Sequence, residues 1–361
     1  MLKVAKFGGS SMADSVQFRK VRDIILADPA RRVVVVSAAG KSAEENHKIT
    51  DLLYLCHAHI RYGMDCTPIF NMIRNRYLSI RDDLGLDLAL EEDLGDAKDT
   101  TTLSVVPESA VSRAVLLCKE DTMVLAGLDI AKRVFEKVEP SLKFTTLKKD
   151  GDLCVRGEFL AEISGSARGI ITAERTALNF LQRMCGVATM SRRYAEALKD
   201  TDCVVLDTRK TTPGFRNLEK YAVAVGGATN HRIGLFDRIM IKDNHRELAA
   251  LEGDGAITRA VARARKAYPE LEIEVETDTL EEVREAAASG AEYIMLDNMS
   301  DDMMREAVAI VAGRAKLEAS GGITLERLPR IGKIGVDFVS SGALTHSVKS
   351  MDISLDIEVV K

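Results

Sequence analysis

Charged and polar side chains follow six predicted β strands in the second half of the chain, each near the point where a strand ends. The strands read CVVLDT, RIMIKDN, LEIEVET, YIMLDN, KLEASGG and VDFVSSGAL, separated by helix-length segments. The residues at these ends are Asp207, Thr208, Arg209, Lys210, Lys242, Asn244, Glu274, Glu276, Asp297, Asn298, Ser320, Gly321, Gly322, Ser341 and Gly342, with His231 and Arg232 after the first strand. A lone charge after a strand is usually a solvated loop residue. Here polar residues follow every one of the six strands. This pattern predicts a single site, because the carboxyl ends of barrel strands meet at one mouth.

The residue types at these ends indicate what the site would bind. The cations are Arg209, Lys210, Arg232 and Lys242. They suit carboxylates or phosphates, and glycine turns let backbone N–H groups approach a phosphate closely. Glu276 and Asp297 would repel anions, so they fit sugar hydroxyls or a Mg²⁺ that bridges a pyrophosphate. His231 could serve as a general acid/base or as a hydrogen-bond donor to a carboxylate. The pattern predicts a ligand with phosphates and a sugar, together with an acidic partner.

The elements that position these residues alternate strictly between strand and helix from Asp202 onward. Six such units with apolar strands favour a closed or nearly closed α/β barrel over an open doubly wound sheet, because polar residues end every strand instead of clustering at one switch point. Before the barrel, a helix reading LDLALEEDLG leads into strand-like runs that predict an antiparallel sheet. Helices are predicted at about Thr172–Gly186 and Met190–Leu198.

The first 94 residues follow a different order. The predicted elements are strand Leu2–Phe7, helix Ser11–Ala27, strand Arg32–Ser37 and helices at Asp51–Arg61 and Pro68–Leu84. The stretch KVAKFGGSS, a strand followed by glycines and a helix start, is typical of a phosphate cradle. Two short parallel strands do not make a stable sheet alone, so this region looks like the opening of a fold whose remainder is missing.

Composition limits the remaining function classes. The chain has 361 residues, 46% hydrophobic and 29% charged, with a net charge of −5. This balance gives no electrostatic reason to expect a nucleic-acid or membrane partner. The six cysteines form no CxxC pair, so neither a zinc site nor a disulfide framework is indicated. With no signal-peptide pattern and no long apolar run, we expect a cytoplasmic protein.

Six long motifs resemble one enzyme family. They read TAERTALNFLQRMCGVAT, DTRKTTPGFRNLEKYAV, GGATNHRIGLFDRIMIKDNH, IMLDNMS, LEASGGIT and SSGALTHSVKSMDISLDI. From about residue 86 to the C-terminus the chain resembles quinolinate phosphoribosyltransferases. The resemblance implies an α/β sandwich plus an incomplete α/β barrel, the type II phosphoribosyltransferase fold. It implies a homodimer that, with Mg²⁺, converts quinolinate and phosphoribosyl pyrophosphate into nicotinate mononucleotide, pyrophosphate and CO₂, in the de novo route to NAD.

The resemblance also implies roles for individual residues. The quinolinate pocket would consist of Arg209, His231, Arg232 and Lys242, with Arg175 reaching in from the neighbouring subunit. The ribose, phosphate and metal side would consist of Lys210, Glu276, Asp297, Ser320, Gly321 and Gly342. Lys210, Lys242, Glu276 and Asp297 would take part in catalysis, and Glu276 and Asp297 would hold Mg²⁺. One departure is Lys98, which stands before Asp99 where the family usually has glycine.

The first quarter resembles the start of aspartate kinase instead. The motifs are KVAKFGGSS, ADSVQFRKVRDII, RRVVVVSAAGK and KITDLLYLCHA. In that family Lys6, Gly8, Gly9 and Ser10 would lie near ATP phosphates and Thr50 near aspartate. The match stops near Leu94, which implies a fusion joint. The predicted domains are a kinase-like segment at 1–85, a sandwich at 86–190 completed by 346–361, and the barrel with the active site at 191–345.

Three alternatives remain open from the sequence. A barrel lyase or aldolase would use Lys242 to form a Schiff base with its substrate. A catalytically inactive fusion would follow if the joint prevented dimer formation. An aspartate-kinase-related function is disfavoured, because the segments that complete a kinase nucleotide pocket are missing.

Overall fold

The chain folds into two compact units, Met1–Lys98 and Asp99–Lys361. A computed structural model describes residues 3–41 and 47–359. The finer domain boundaries at 85, 190 and 345 stay predictions.

Within residues 3–41 and 47–98, the first unit contains a two-stranded parallel sheet and three α-helices. Its elements are β1 (Lys3–Phe7), a 3-10 turn (Gly9–Met12), α1 (Ser15–Leu26), β2 (Arg31–Val36), α2 (Ile49–Arg61) and α3 (Thr67–Leu94). The order matches the prediction, but the separate helix expected at LDLALEEDLG is wrong, since α3 continues through it. Gly85 lies within the helix without ending it, at a cost of about 1 kcal/mol relative to alanine. The helix ends at Gly95, whose φ is +51°.

Packing in the first unit comes from its helices more than from its sheet. The core consists of Ala39, Ile49, Leu52, Cys56, Ile69, Ile73 and Ile80. By contrast, Val33, Val34, Val35 and Val36 of β2 are each 38–53% exposed. Parallel strands ordinarily have both faces covered. The exposure fits the prediction of a sheet that lacks its further strands.

The second unit begins with an antiparallel layer. Its elements are α4 (Thr100–Val105), β3 (Val111–Cys118), β4 (Met123–Val124), α5 (Leu128–Val138), β5 (Lys143–Thr146), β6 (Leu153–Cys154), β7 (Phe159–Ser166) and α6 (Ala167–Ala197). One antiparallel sheet has the order β14-β3-β7-β5, where β14 (Ile353–Val359) comes from the end of the chain; β4 and β6 form a separate pair. The antiparallel sheet is confirmed. Both stretches predicted to be helical, 172–186 and 190–198, are helical, but the break expected between them is wrong. Helix α6 runs unbroken through Val187, Ala188 and Thr189, which are all buried.

The rest of the second unit is an open parallel barrel. Its elements are β8 (Val204–Leu206), α7 (Arg216–Val225), β9 (Ile239–Ile241), α8 (Asp243–Ala250), α9 (Ala256–Ala267), β10 (Ile273–Thr277), α10 (Leu280–Ser289), β11 (Tyr293–Asp297), α11 (Asp301–Val311), β12 (Lys316–Ser320), α12 (Leu328–Ile331), β13 (Phe338–Ser340) and α13 (Ala343–His346). The strand order is β8-β13-β12-β11-β10-β9, all parallel. All six predicted strands are confirmed. From β9 to β13 neighbouring strands in the sheet are also neighbours in the sequence, and β8 pairs with β13, as in a barrel. Among the described residues, β8 and β9 do not pair with each other, so the barrel is open between them.

The turn before α4 stores backbone strain. Lys98 has φ +59°, and the next residue, Asp99, caps α4 by accepting a 2.9 Å hydrogen bond from the Thr102 N–H. A side chain in the left-handed region costs about 1–2 kcal/mol, whereas glycine adopts it freely. The glycine that the family usually places here therefore suits the turn better than lysine does.

Replacing Lys98 with glycine is expected to raise the free energy of unfolding by about 0.5–1 kcal/mol, since relief of strain outweighs the added freedom of the unfolded chain. Urea denaturation of both proteins measures the change. Lys199→Gly is the matched control, because Lys199 is exposed and has no positive φ. Equal destabilisation by both substitutions would show that Lys98 is unstrained.

Candidate active site

The strand ends of the barrel surround one cavity of about 440 Å³. Its lining consists of Thr208, Arg209, Lys210, His231, Arg232, Met240, Lys242, Glu276, Met295, Asp297, Glu318, Ser320 and Ser340. Nine residues singled out from the sequence are therefore together in one place. Arg175 is exposed on α6 and is not part of this lining. The roles of all these residues stay predictions.

A buried ion pair supports the loop that carries His231 and Arg232. Asp207, fully buried after β8, lies 2.7 and 2.8 Å from the Nζ of Lys220 on α7. Lys220 also donates to the His231 carbonyl at 2.9 Å, and the His231 N–H donates to Asp207 at 2.7 Å. Burial raises the pKa of Asp207, which the ammonium opposes. The pair thus fixes the backbone of the loop from inside the barrel.

Two guanidinium groups face the cavity. Arg232 donates from Nη1 to the Arg238 carbonyl at 3.0 Å and from Nη2 to the Met240 sulfur at 3.4 Å. Burial and the nearby Arg209 charge lower the pKa of Arg232. The Nε of Arg209 is buried and has no hydrogen-bond partner among the described residues. An anionic ligand would stabilise these two neighbouring positive charges and could accept a hydrogen bond from the Arg209 Nε.

His231 lies below these arginines. Its Nδ1 accepts a 2.6 Å hydrogen bond from the Arg232 N–H, while its Nε2 is 3.1 Å from Glu274 and 3.3 Å from Glu318. Because Nδ1 accepts this hydrogen bond, it carries a lone pair, and the ring hydrogen lies on Nε2 between the two carboxylates. The ring is therefore neutral and is engaged on both nitrogens.

Acidic residues form a second part of the lining, the acidic wall. The Nζ of Lys242 lies 2.9 Å from Glu276, and Asn298 donates to Asp297 at 2.7 Å. Burial raises the pKa of Asp297, and the charges of Glu276 and Asp278 raise it further. A divalent cation would relieve this repulsion, and carboxylate oxygens are the ligands that Mg²⁺ prefers. The residues present therefore fit the metal.

The glycine turns complete the rim. Gly321 has φ +79°, and a Cβ there would overlap Asn298. A Cβ on Gly342 would lie 2.7 Å from the ring of His346 and 2.9 Å from Cδ of Lys210. Glycine is thus required at position 321, where φ is positive and a Cβ would also lie 2.8 Å from the Asn298 backbone nitrogen, whereas at position 342 it leaves room for two flexible side chains. Backbone N–H groups, Lys210 and His346 together resemble the surroundings of a bound phosphate.

Several residues of the site were missed from the sequence. His346 stands four residues after Gly342, within GALTH. Because Gly342 was already predicted to lie at the site, the histidine that follows it in the same segment could have been recognised as a candidate. Glu318 was overlooked although a glutamate inside the buried strand KLEAS is unusual. Thr208, Asn244, Glu274 and Ser341 were named, but among them only Thr208 lines the cavity.

Comparison with known proteins decides the family. The sequence models "Quinolinate phosphoribosyl transferase, N-terminal domain" and "C-terminal domain" match residues 99–185 and 187–356. The chain belongs to the quinolinate phosphoribosyltransferase family. It is 45% identical to the chloroplastic carboxylating nicotinate-nucleotide pyrophosphorylase of Arabidopsis thaliana, over 76% of this chain and 82% of the relative. It is also 45% identical to a probable carboxylating nicotinate-nucleotide pyrophosphorylase of Bacillus subtilis, over 74% and 90%.

Solved structures agree with this family fold. NadC from Streptococcus pyogenes matches 77% of this chain and 97% of its own at 42% identity, with a TM-score of 0.73. The predicted sandwich and incomplete barrel are thus the family fold. An aspartate kinase from Clostridium acetobutylicum matches 25% of this chain and 22% of its own at 45% identity, but its TM-score of 0.22 supports no structural argument. The kinase-like segment stays a prediction. Within the described residues, no helix is long and apolar enough to cross a bilayer.

Proposed function

We propose that this quinolinate phosphoribosyltransferase transfers phosphoribosyl from phosphoribosyl pyrophosphate to quinolinate with loss of CO₂, and so makes nicotinate mononucleotide for NAD. The single observation that supports this most is one cavity whose lining combines two guanidiniums, two lysines and the carboxylates of Glu276 and Asp297. A dianionic pyridine needs the cations, and a phosphorylated sugar with its metal ion needs cations and carboxylates together. Release of pyrophosphate that requires both substrates tests the proposal.

Quinolinate would bind at the cationic wall. Its two carboxylates would meet Arg209, Arg232 and Lys242, whose donors suit forked and point contacts with carboxylate oxygens. Met240 and Met295 supply apolar surface beside them, which suits the faces of a pyridine ring. The ring nitrogen would then point toward the acidic wall.

Phosphoribosyl pyrophosphate would bind at the acidic wall and the glycine turns. Lys210, Ser320, Gly321, Gly342 and His346 would hold its phosphates, and Glu276 and Asp297 its ribose hydroxyls and a Mg²⁺ ion. When bound, Mg²⁺ would supply positive charge to the departing pyrophosphate. The glycine turns, the Lys210 contact and the raised pKa of Asp297 support this assignment.

The reaction needs positioning more than a covalent nucleophile. Breaking the bond between the anomeric carbon and pyrophosphate leaves an oxocarbenium-like ribose, which the ring nitrogen attacks with its lone pair. Fixed cations stabilise the leaving charge, and holding the two reactants together supplies much of the acceleration. The carboxylate next to the now cationic nitrogen leaves as CO₂. The electron pair stays on the ring carbon, where the adjacent positive charge stabilises it until a solvent proton arrives.

The surroundings of Lys242 disfavour the alternative of a Schiff-base lyase. A Schiff-base lysine must have its Nζ free to attack a carbonyl, whereas the Nζ of Lys242 is paired with Glu276 at 2.9 Å in a cavity that several other cations line, as suits an anionic ligand. Borohydride trapping of a substrate on Lys242 would restore the lyase alternative.

We propose further that the enzyme is a homodimer in which Arg175 enters the partner's cavity. Its exposure on α6 supports this, because the guanidinium is free to extend beyond its own subunit. A cytoplasmic location is also proposed. None of the six cysteines, all within the described residues, forms a disulfide, which suits a reducing compartment.

Mixing two inactive variants tests the shared site. Arg175→Ala and Arg232→Ala, unfolded and refolded together, should recover about a quarter of wild-type activity, because half of random dimers are hybrids and each hybrid keeps one native site. Each variant refolded alone should stay inactive. A mixture as inactive as its components would contradict the contribution of Arg175 across the interface.

A further inference from the structure

Three buried groups meet at the edge of the substrate cavity, whose lining includes two of them, His231 and Glu318. Glu274 on β10 and Glu318 on β12 are fully buried, and the side chain of His231 is 5% exposed. Their ligand atoms all lie within 4.8 Å of one another. Each comes from a different part of the barrel, so the cluster joins two strands to the loop that carries Arg232.

Several polar atoms of the cluster lack a hydrogen bond of good geometry. Within residues 3–41 and 47–359, His231 Nε2, Glu274 Oε1 and both carboxylate oxygens of Glu318 are buried without a well-directed hydrogen bond. Nε2 instead lies between the two carboxylates, at 3.1 and 3.3 Å. A fold keeps such buried polar groups at a cost in stability, so their retention calls for a functional reason.

The other ring nitrogen determines what the cluster holds. Nδ1 of His231 accepts the Arg232 N–H at 2.6 Å, so its lone pair is occupied and the ring hydrogen must lie on Nε2. A metal ion at Nε2 would need the lone pair that this hydrogen occupies. The three groups therefore share a proton and do not form a metal site.

We propose that Glu274 and Glu318 are positioning residues for the substrate pocket: they hold Nε2–H of His231 inward, so that Nδ1 fixes the Arg232 amide and the Arg232 guanidinium faces the cavity. The guanidinium is also held from outside, by the Arg238 carbonyl and Met240. Arg238 itself lies 3.5 Å from Glu274, which ties both ends of the loop to the same carboxylate. This inference rests on the proposed function, since it concerns quinolinate binding.

Kinetics of three variants test the role of Glu318. Glu318→Ala should raise the KM for quinolinate about tenfold or more, while kcat and the KM for phosphoribosyl pyrophosphate stay within about threefold. Glu318→Gln keeps the shape and an oxygen that accepts from Nε2–H, so it should stay within about threefold of wild type. Glu306→Ala, at an exposed glutamate of α11, is the control and should change nothing. Equal losses for both substrates, or a glutamine variant as poor as alanine, would overturn the proposal.

Nitrogen NMR of histidine-labelled full-length enzyme gives a readout independent of turnover. The His231 signals, identified by their absence in His231→Gln, should show hydrogen on Nε2 at pH 7 in wild type and in Glu318→Gln. Nε2 without hydrogen, or a stoichiometric metal that Glu318→Ala removes, would overturn the inference. If wild type itself shows no turnover, the proposed function fails and the NMR result alone decides the inference.

Discussion

Replacing Arg232 with alanine is expected to weaken quinolinate binding by about 10²- to 10³-fold while phosphoribosyl pyrophosphate still binds. Arg232 is the cavity cation whose guanidinium is held on two sides, by the Arg238 carbonyl and Met240, so its donors are preorganised for a carboxylate. Removing one partner of a buried, charge-assisted pair costs about 2–5 kcal/mol of binding free energy. The substitution leaves unchanged the residues proposed to bind phosphoribosyl pyrophosphate, namely Glu276, Asp297 and the glycine turns.

Calorimetric titration of each substrate separately measures the two affinities. Arg263→Ala is the control, because Arg263 is an exposed arginine that pairs with Glu252 and does not line the cavity. Equal loss of both affinities would mean that Arg232 serves the fold or the phosphate side, and would contradict its assignment to quinolinate.

Replacing Lys220 with methionine is expected to lower the free energy of unfolding by about 3–5 kcal/mol, because Asp207 would be left as an uncompensated buried charge. The loss is larger than that of an ordinary surface ion pair, which contributes about 0–1 kcal/mol. Lys220 also donates to the His231 carbonyl, so the loop before Arg232 should loosen as well.

A double substitution separates the charge from the packing. Asp207→Asn keeps an oxygen for the His231 N–H and removes the negative charge, so Asp207→Asn with Lys220→Met should recover a large part of the stability lost in Lys220→Met. Urea denaturation of the wild type, both single variants and the double variant closes the cycle. A double variant whose loss equals the sum of the two single losses would show that the pair is not energetically coupled.

The strands of the barrel and the identity of the cavity residues were predictable because both depend on local signals. Apolar runs ending in polar residues mark parallel strands, and topology then brings Lys242, Glu276 and Asp297 together without any long-range information. The break expected between Gly186 and Met190 was wrong because burial of that stretch against the rest of the unit overrides its weak helix propensity.

The positioning residues could not be predicted in the same way. The hydrogen on His231 is placed by the Arg232 amide and by two carboxylates from strands distant in sequence, and no spacing encodes that meeting. Lys98, by contrast, was recognised from the sequence as a departure from the family pattern. Only its φ of +59° shows that the lysine is strained at this position.

The first quarter of the chain shows how far a local motif can be trusted. KVAKFGGSS does form a strand followed by a glycine turn, as its residues predict. The two strands of that unit nevertheless leave Val33 to Val36 exposed, so a local phosphate-cradle pattern lies on a sheet that lacks cover. A motif of this kind indicates function only together with the elements that complete its pocket.

The stoichiometry of the reaction tests the central claim most directly. The enzyme is incubated with phosphoribosyl pyrophosphate, Mg²⁺ and either quinolinate or nicotinate, and pyrophosphate and CO₂ are measured in the same samples. The account predicts equal amounts of pyrophosphate and CO₂ with quinolinate, nicotinate mononucleotide as the product, and little turnover with nicotinate, which lacks the second carboxylate for the cationic wall. Turnover of nicotinate at the rate of quinolinate, or pyrophosphate release without CO₂, would contradict it.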